Sequence, residues 1–216
     1  MNHQLLRILR PFVHRFTDAR RIRDIDNEVT SRFPQLDKSL LRGKVVVDLG
    51  ANRGDFSVWA ADQGALVISF EPDKTAFHYL VKRTSRYANV YLLNAAAVDT
   101  TSFLKLYFHA NRSKDPLGHT ISSSIDVNKK NVSASSFEEI LGINLEGILG
   151  ELDVFLMKID IEGAEVLLWE GIKARSNRIE YLLMETHENQ TSGDYSDFSA
   201  FIVKNQLQDK WKLDWI

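Results

Sequence analysis

Lys44-Val-Val-Val-Asp-Leu-Gly-Ala-Asn-Arg-Gly54 decides the fold. Three consecutive β-branched residues followed by Asp48-Leu49 read as a strand buried on both faces, the pattern of a parallel sheet. Gly50 then allows a sharp turn without a Cβ clash, and Gly54 allows the next helix to approach closely. Downstream, short apolar runs alternate with amphipathic stretches, as in α/β proteins. Asp55–Gln63 reads as a helix ended by Gly64, and Leu66–Glu71 as a second strand. Asp73 reads as the N-cap of a helix reaching about Arg86. Val90–Asn94 reads as a third strand extending toward Val98, and Phe103–His109 as an extra strand.

Ala110–Asn131 is polar and reads as a long loop, the usual place for a lid or substrate contact. Its Arg112, Lys114, His119, Lys129 and Lys130 point to a polar or anionic partner. Ser135-Ser-Phe-Glu138 has the form of a capping box opening a short helix. Val154–Asp160, Ala164–Trp169, Tyr181–Thr186 and Ser196–Asn205 continue the strand–helix alternation. Trp211, Leu213 and Trp215 alternate as in a final strand.

Composition bounds the function. The chain has 216 residues, 44% hydrophobic and 26% charged, with a net charge of −2, which suits one soluble domain with an appendage. The absence of cysteine excludes disulfides, thiolate metal sites and cysteine nucleophiles. No apolar run has the length of a membrane span, so a cytoplasmic protein is the default. Charge is uneven: residues 1–44 carry ten basic against five acidic side chains. Residues 1–43 form a basic helical appendage to a main domain at 44–216. Leu5, Leu6, Leu9, Phe12, Val13 and Phe16 fall near helical spacing, with a kink expected at Pro11. This head is expected to cap the main domain; the alternative is peripheral contact of residues 1–23 with an anionic membrane.

Ligands of an open parallel sheet bind beyond the carboxyl ends of the strands, where strand order reverses. Strand one ends in the glycine turn and strand two in Glu71, whose carboxylate suits both hydroxyls of a ribose. The dinucleotide fingerprint is absent, because Asn52 stands where the middle glycine would meet pyrophosphate. Asp48 adds a negative charge there, which disfavours an anionic ligand and suits a cationic one such as S-adenosylmethionine.

A second cluster runs from Lys158 through Asp160, Glu162 and Glu165, and the fifth strand ends in Glu185-Thr-His187. Carboxylates this close raise one another's pKa unless a cation sits among them. Lys158 is one such cation; a divalent metal such as Mg, held by Asp160, Glu185 and His187, is another.

Asp48–Gly54, Phe70-Glu71-Pro72, Lys158-Ile-Asp-Ile-Glu-Gly-Ala-Glu165 and Glu185-Thr-His187 together resemble the signature blocks of the FkbM-type methyltransferases, in the same order, over about residues 44–190. The resemblance implies a class I methyltransferase fold: a Rossmann-like, mainly parallel sheet flanked by helices. It implies methyl transfer from S-adenosylmethionine to a hydroxyl of a sugar, glycan, glycolipid or natural product. It places Asp48, Gly50, Ala51, Asn52 and Gly54 along the methionine part of the cofactor, Glu71 at the ribose and Ala96 by the adenine. Asp160 would face the methyl and the acceptor. His187 is the first choice of base for the acceptor hydroxyl and Glu185 the second. No acid follows strand three, leaving the adenine to backbone groups or Asn94. The full fold also expects a closing antiparallel strand, which is missing before Ile216; a six-strand core, a partner's contribution or a shortened chain would account for that.

Other classes fit less well. Without cysteine there is no cytosine-C5 nucleophile, and no Asn/Asp-Pro-Pro-aromatic motif serves a base amino group, so nucleic acid is disfavoured as a partner. A nicotinamide oxidoreductase is disfavoured by Asn52 and Asp48. A catalytically silent binding module is disfavoured by the intact Lys158–Glu165 block.

Overall fold

A computed structural model describes residues 3–112, 120–188, 190, 191 and 193–214, with side chains in the first helix from Asp18 onward. The N-terminal apolar positions Leu5 to Phe16, the loop residues Lys114 and His119, and Trp215 therefore lie outside the described side chains. The helices are α1 (His3–Arg32), α2 (Asp55–Asp62), α3 (Lys74–Thr84), α4 (Leu145–Leu149), α5 (Glu165–Ala174) and α6 (Ser196–Lys204). The strands are β1 (Val45–Leu49), β2 (Leu66–Phe70), β3 (Val90–Leu93), β4 (Ala96–Val98), β5 (Ser102–His109), β6 (Val132–Asn144), β7 (Val154–Ile159), β8 (Ile179–Met184) and β9 (Trp211–Leu213).

Six strands form one sheet in the order β3-β2-β1-β7-β8-β9, every neighbouring pair parallel. This is the Rossmann-like sheet expected of a class I methyltransferase, and its strand order reverses between β1 and β7. Among the described residues no antiparallel strand enters it, and β9 pairs directly with β8 through Leu182 and Trp211.

The hydrophobic run of β1 is explained by burial on both faces. Val46 packs with Phe56, Trp59 and Ala60 of α2 and with Val29 of α1. Its neighbours Val47 and Leu49 pack on the other face with Leu168, Trp169, Phe198 and Trp211. Alternate side chains of a strand point to opposite faces, so a strand between two helical layers is apolar at nearly every position. α1 runs through Pro11 as one helix. Its packed stripe is Ile22, Ile25 and Val29, at helical spacing, and Asp26 accepts from Trp59 Nε1 (2.9 Å) and Lys38 Nζ (2.7 Å). The end of the basic head thus lies against the sheet. No described helix is long and apolar enough to cross a membrane.

Two local expectations are corrected. Ser135–Glu138 opens no helix: it lies inside β6, which pairs antiparallel with β5 through Tyr107↔Phe137, Leu106↔Glu138 and Lys105↔Glu139. A capping box is a local preference, and the ladder with β5 outweighs it. The third strand does not extend to Val98 either. The chain breaks at Asn94–Ala95, and Ala96–Val98 joins a separate three-stranded sheet, β4-β6-β5. That sheet carries its own small cluster of Ala96, Val98, Leu106 and Ile140.

Candidate functional site

The site grows from the carboxyl ends of β2, β1, β7 and β8, which hydrogen bonds tie together. Gly50 N and Ala51 N donate to Phe70 O (3.1 and 2.9 Å), Asp160 N to Leu49 O (3.0 Å) and Glu185 N to Ile159 O (2.9 Å). Gly50 has φ +76°, and a Cβ there would meet Asp160 O at 1.8 Å, so only glycine lets these two strand ends touch. A Cβ at Gly54 would meet Leu80 Cδ1 at 2.5 Å, so the close approach at this position is to α3 and not to the next helix, α2.

Glu71 closes β2 with a buried carboxylate. Asn52 N donates to one oxygen (2.7 Å) and Asp73 N to the other (2.7 Å). Burial nonetheless pushes its pKa up to about 8. Each oxygen keeps a lone pair for a ligand hydroxyl.

Lys158 is the cation among the acids. It donates to Gly50 O (2.8 Å) and stands 3.3 Å from both Asp48 Oδ1 and Asp160 Oδ2. Burial alone would lower its pKa, but the carboxylates of Asp160 and Asp48 overcome this and hold it above the usual lysine value. Asp48 is wholly buried and accepts from Ser57 Oγ at 2.6 Å. It lies beneath the cleft, so its charge meets Lys158 and not a ligand. This corrects both its expected contact with the cofactor and the inference of ligand charge from it.

The cleft has a volume of about 660 Å³ including its open mouth, within the range of small-molecule sites. Of the expected cofactor residues, Gly50, Asn52, Glu71, Ala96 and Asp160 line it; Asp48, Ala51, Gly54 and Asn94 do not. Asn94 turns away to donate to Glu71 O (2.8 Å) and Pro72 O (3.2 Å), buttressing the turn after β2. Ala95 and Ala97 line the cleft beside Ala96 instead.

Behind the cleft wall at Asp160, the one of the three that lines it, Asp160, Glu185 and His187 each offer a ligand atom within 4.8 Å of the others. The surroundings of His187 decide what they are. Its Nδ1 lies 3.0 Å from Glu165 Oε1, and its Nε2 lies 3.3 Å from Glu162 Oε2 and 3.7 Å from Glu185 Oε1. Burial works against the charged ring, but Glu162 and Glu165 prevail and push its pKa up to about 10. These carboxylates favour the charged ring, in which both ring nitrogens donate to them. In that form Glu185, the second choice of base, is the freer of the two to take a proton, and a divalent ion would bind His187 only in place of its proton. Glu185 is the group poised to titrate: burial and Asp160 raise its pKa to about 7, with His187 opposing them.

Glu165, the first residue of α5, is fully buried. It accepts from Gly163 N (3.0 Å) and Tyr195 Oη (2.8 Å) as well as meeting His187. It holds the β7–α5 turn in shape, beyond any effect on the helix dipole. The loop cations are turned inward too. Arg112 forks onto Asp73, the N-cap of α3, and lies over the Phe108 ring (3.9 Å). Lys129 is buried against Glu162. Lys130 alone of the described loop lysines is exposed, and Lys114 and His119 lie outside the described residues. Ser57, Tyr195 and the Lys129–Glu162 pair were missed by sequence reasoning, since no local spacing marks contacts made between distant segments.

Residues 48–204 match the methyltransferase FkbM domain. The chain belongs to the FkbM methyltransferase family. No curated protein matches it. Among solved structures it is similar to methyltransferase FkbM from Methylobacillus flagellatus KT, with 17% identity and a TM-score of 0.46, covering 75% of this chain and 37% of that one. It is also similar to precorrin-6y C5,15-methyltransferase from Geobacter metallireducens GS-15, with 11% identity and a TM-score of 0.39, covering 79% of this chain and 66% of that one. A putative methyltransferase of an antibiotic biosynthesis pathway from Anabaena variabilis shares 26% identity over 34% of this chain and 26% of its own, with a TM-score of 0.27. This FkbM chain therefore spans little more than a third of the Methylobacillus protein's length.

Proposed function

We propose that this FkbM-family protein transfers a methyl group from S-adenosylmethionine to a hydroxyl of a sugar, glycan, glycolipid or natural product. The observation that carries the proposal is one cleft lined by both Glu71 and Asp160, which close β2 and β7 on either side of β1. Glu71 is suited to a ribose, and the small side chains of Ala95, Ala96 and Ala97 leave room for a flat adenine. Asp160, held by Lys158, closes the other side beside Glu185.

When bound, S-adenosylmethionine supplies an electrophilic methyl on a sulfonium, whose carbon–sulfur bond breaks as the acceptor oxygen bonds to carbon. Glu185 is the group to take the hydroxyl proton: it is partly exposed, and a pKa about 7 suits a general base at neutral pH. The His187 imidazolium holds the Glu185 carboxylate in place and favours its ionised form. Lys158 fixes the Gly50 turn and Asp160 together, so orientation of the reactants is preset. Lys158, Lys129 and His187 supply three positive charges to the five acids Asp48, Asp160, Glu162, Glu165 and Glu185.

Thermal melting with saturating S-adenosylhomocysteine tests the cofactor. At about 100 times its dissociation constant a ligand adds roughly 2.7 kcal/mol, a rise on the order of 5–10 °C at this size. Such a rise, with none from NAD⁺, is the expected result; a rise with NAD⁺ alone would overturn the proposal.

A further inference from the structure

Residues 120–131 cross the cleft from one rim to the other. At the α3 rim, Thr120 Oγ1 donates to Asn52 Oδ1 (3.1 Å) and Ser123 Oγ to Asp73 Oδ2 (3.2 Å). At the opposite rim, Ser124 Oγ donates to Glu162 O (2.7 Å) and the Lys129 ammonium meets the Glu162 carboxylate. Thr120, Ser123, Ser124 and Ile125 are themselves cleft wall, so a ligand there is enclosed by this strap.

Lys129 distinguishes the arrangement from an ordinary surface loop. Its side chain is 0% exposed. A buried ammonium is costly to desolvate and persists only with a partner of opposite charge. The burial of Lys129 and the seating of the strap on Glu162 are therefore one event. Lifting the strap breaks this pair together with the Ser124 hydrogen bond, and returning both charges to water offsets only part of the attraction lost.

We propose that Lys129 and Glu162 form the latch of a strap that closes the cofactor cleft, so that ligand exchange requires this ion pair to open. The proposal rests on the cofactor assignment above. Lys129 is a positioning residue: it touches Glu162, which reaches His187 Nε2 at 3.3 Å.

The test is the dissociation rate of S-adenosylhomocysteine, measured by surface plasmon resonance on the full chain. Lys129→Met should release the ligand on the order of ten times faster, as expected for losing a paired buried charge. Lys129→Arg should restore slow release, and Lys130→Met, the exposed neighbour, should match the wild type. Ser124→Ala removes the second tie without disturbing a buried charge and should also quicken release. Amide exchange in the ligand-free protein gives an independent readout. The amides of Ser124, bonded to Tyr107 O, and Lys130, bonded to Gln190 O, should lose protection in Lys129→Met. Wild-type release and exchange in both Lys129→Met and Ser124→Ala would overturn the latch. If the wild type fails to bind S-adenosylhomocysteine, the cofactor assignment falls and amide exchange alone decides: faster exchange supports the latch, unchanged exchange overturns it.

Discussion

His187 and Glu165 are joined at 3.0 Å between Nδ1 and Oε1, and both side chains are buried. The pair makes the histidine a structural cation. Removing one partner of a buried ion pair costs roughly 3–5 kcal/mol, because the other charge remains uncompensated. His187→Gln should therefore lower the melting temperature by on the order of 10 °C at this chain length, measured by calorimetry. A wild-type melting temperature would contradict the charge assignment.

The same pair sets a pH dependence. The folded pKa of His187 is raised to about 10, against about 6.5 in an unfolded chain. A group so raised contributes stability that is fully present below about 6.5 and is lost as pH climbs toward 10. The wild type should lose more stability between pH 7 and 10 than His187→Gln does. Urea melts at both pH values would measure the difference.

Glu185 should titrate close to neutrality. Carbon-13 NMR of labelled glutamate, assigned by the loss of one signal in Glu185→Gln, should show a carboxyl with a pKa about 7. Methyl transfer to a hydroxyl acceptor should rise through the same pH, and Glu185→Gln should lower its rate by roughly 10²–10⁴.

Glu71 makes ligand binding depend on pH in the opposite range. Its carboxyl is pushed up to about 8 by burial, and only the ionised form accepts from two hydroxyls. S-adenosylhomocysteine should bind more tightly at pH 9 than at pH 6.5. Glu71→Gln should flatten that dependence and weaken binding by roughly 10–100-fold, the loss of a charge-assisted hydrogen bond. Isothermal titration calorimetry at the two pH values distinguishes the cases.

Two glycines should respond in opposite senses to alanine. At Gly50 the new Cβ would strike Asp160 O at 1.8 Å in a left-handed backbone, whereas at Gly171, inside α5, it would meet nothing within 4 Å. Gly50→Ala should unfold the site and abolish ligand binding. Gly171→Ala should stabilise the protein by about 0.4–1 kcal/mol, read from the denaturation midpoint.

What was legible in the sequence is what short-range pattern encodes. The doubly buried β1, the turn at Gly50, the acid closing β2 and the Lys158–Glu165 block could be read because a strand and the turn after it carry their own signatures. Side-chain direction was not legible. Asp48 looks like a ligand contact until Lys158 and Ser57 are found around it, and Arg112 and Lys129 look like acceptor contacts until Asp73 and Glu162 neutralise them. His187 resembles a base in sequence because the groups that favour its charged form, Glu162 and Glu165, come from the β7–α5 turn and the first residue of α5. The capping box at Ser135–Glu138 failed for a related reason: its competitor, the β5 ladder, lies some thirty residues upstream.

The separate sheet β4-β6-β5 has an evolutionary consequence. It sits between β3 and β7 in the chain, carries its own small cluster of Ala96, Val98, Leu106 and Ile140, and leaves the register of the six-strand sheet to other residues. Exchange of the segment between β5 and β6 with that of a relative leaves the β1–β7 junction and its glycine turn in place. Such a graft would nonetheless replace Thr120, Ser123, Ser124 and Ile125 of the cleft wall and the Lys129 partner of Glu162, so each exchanged segment brings its own cover to an unchanged sheet.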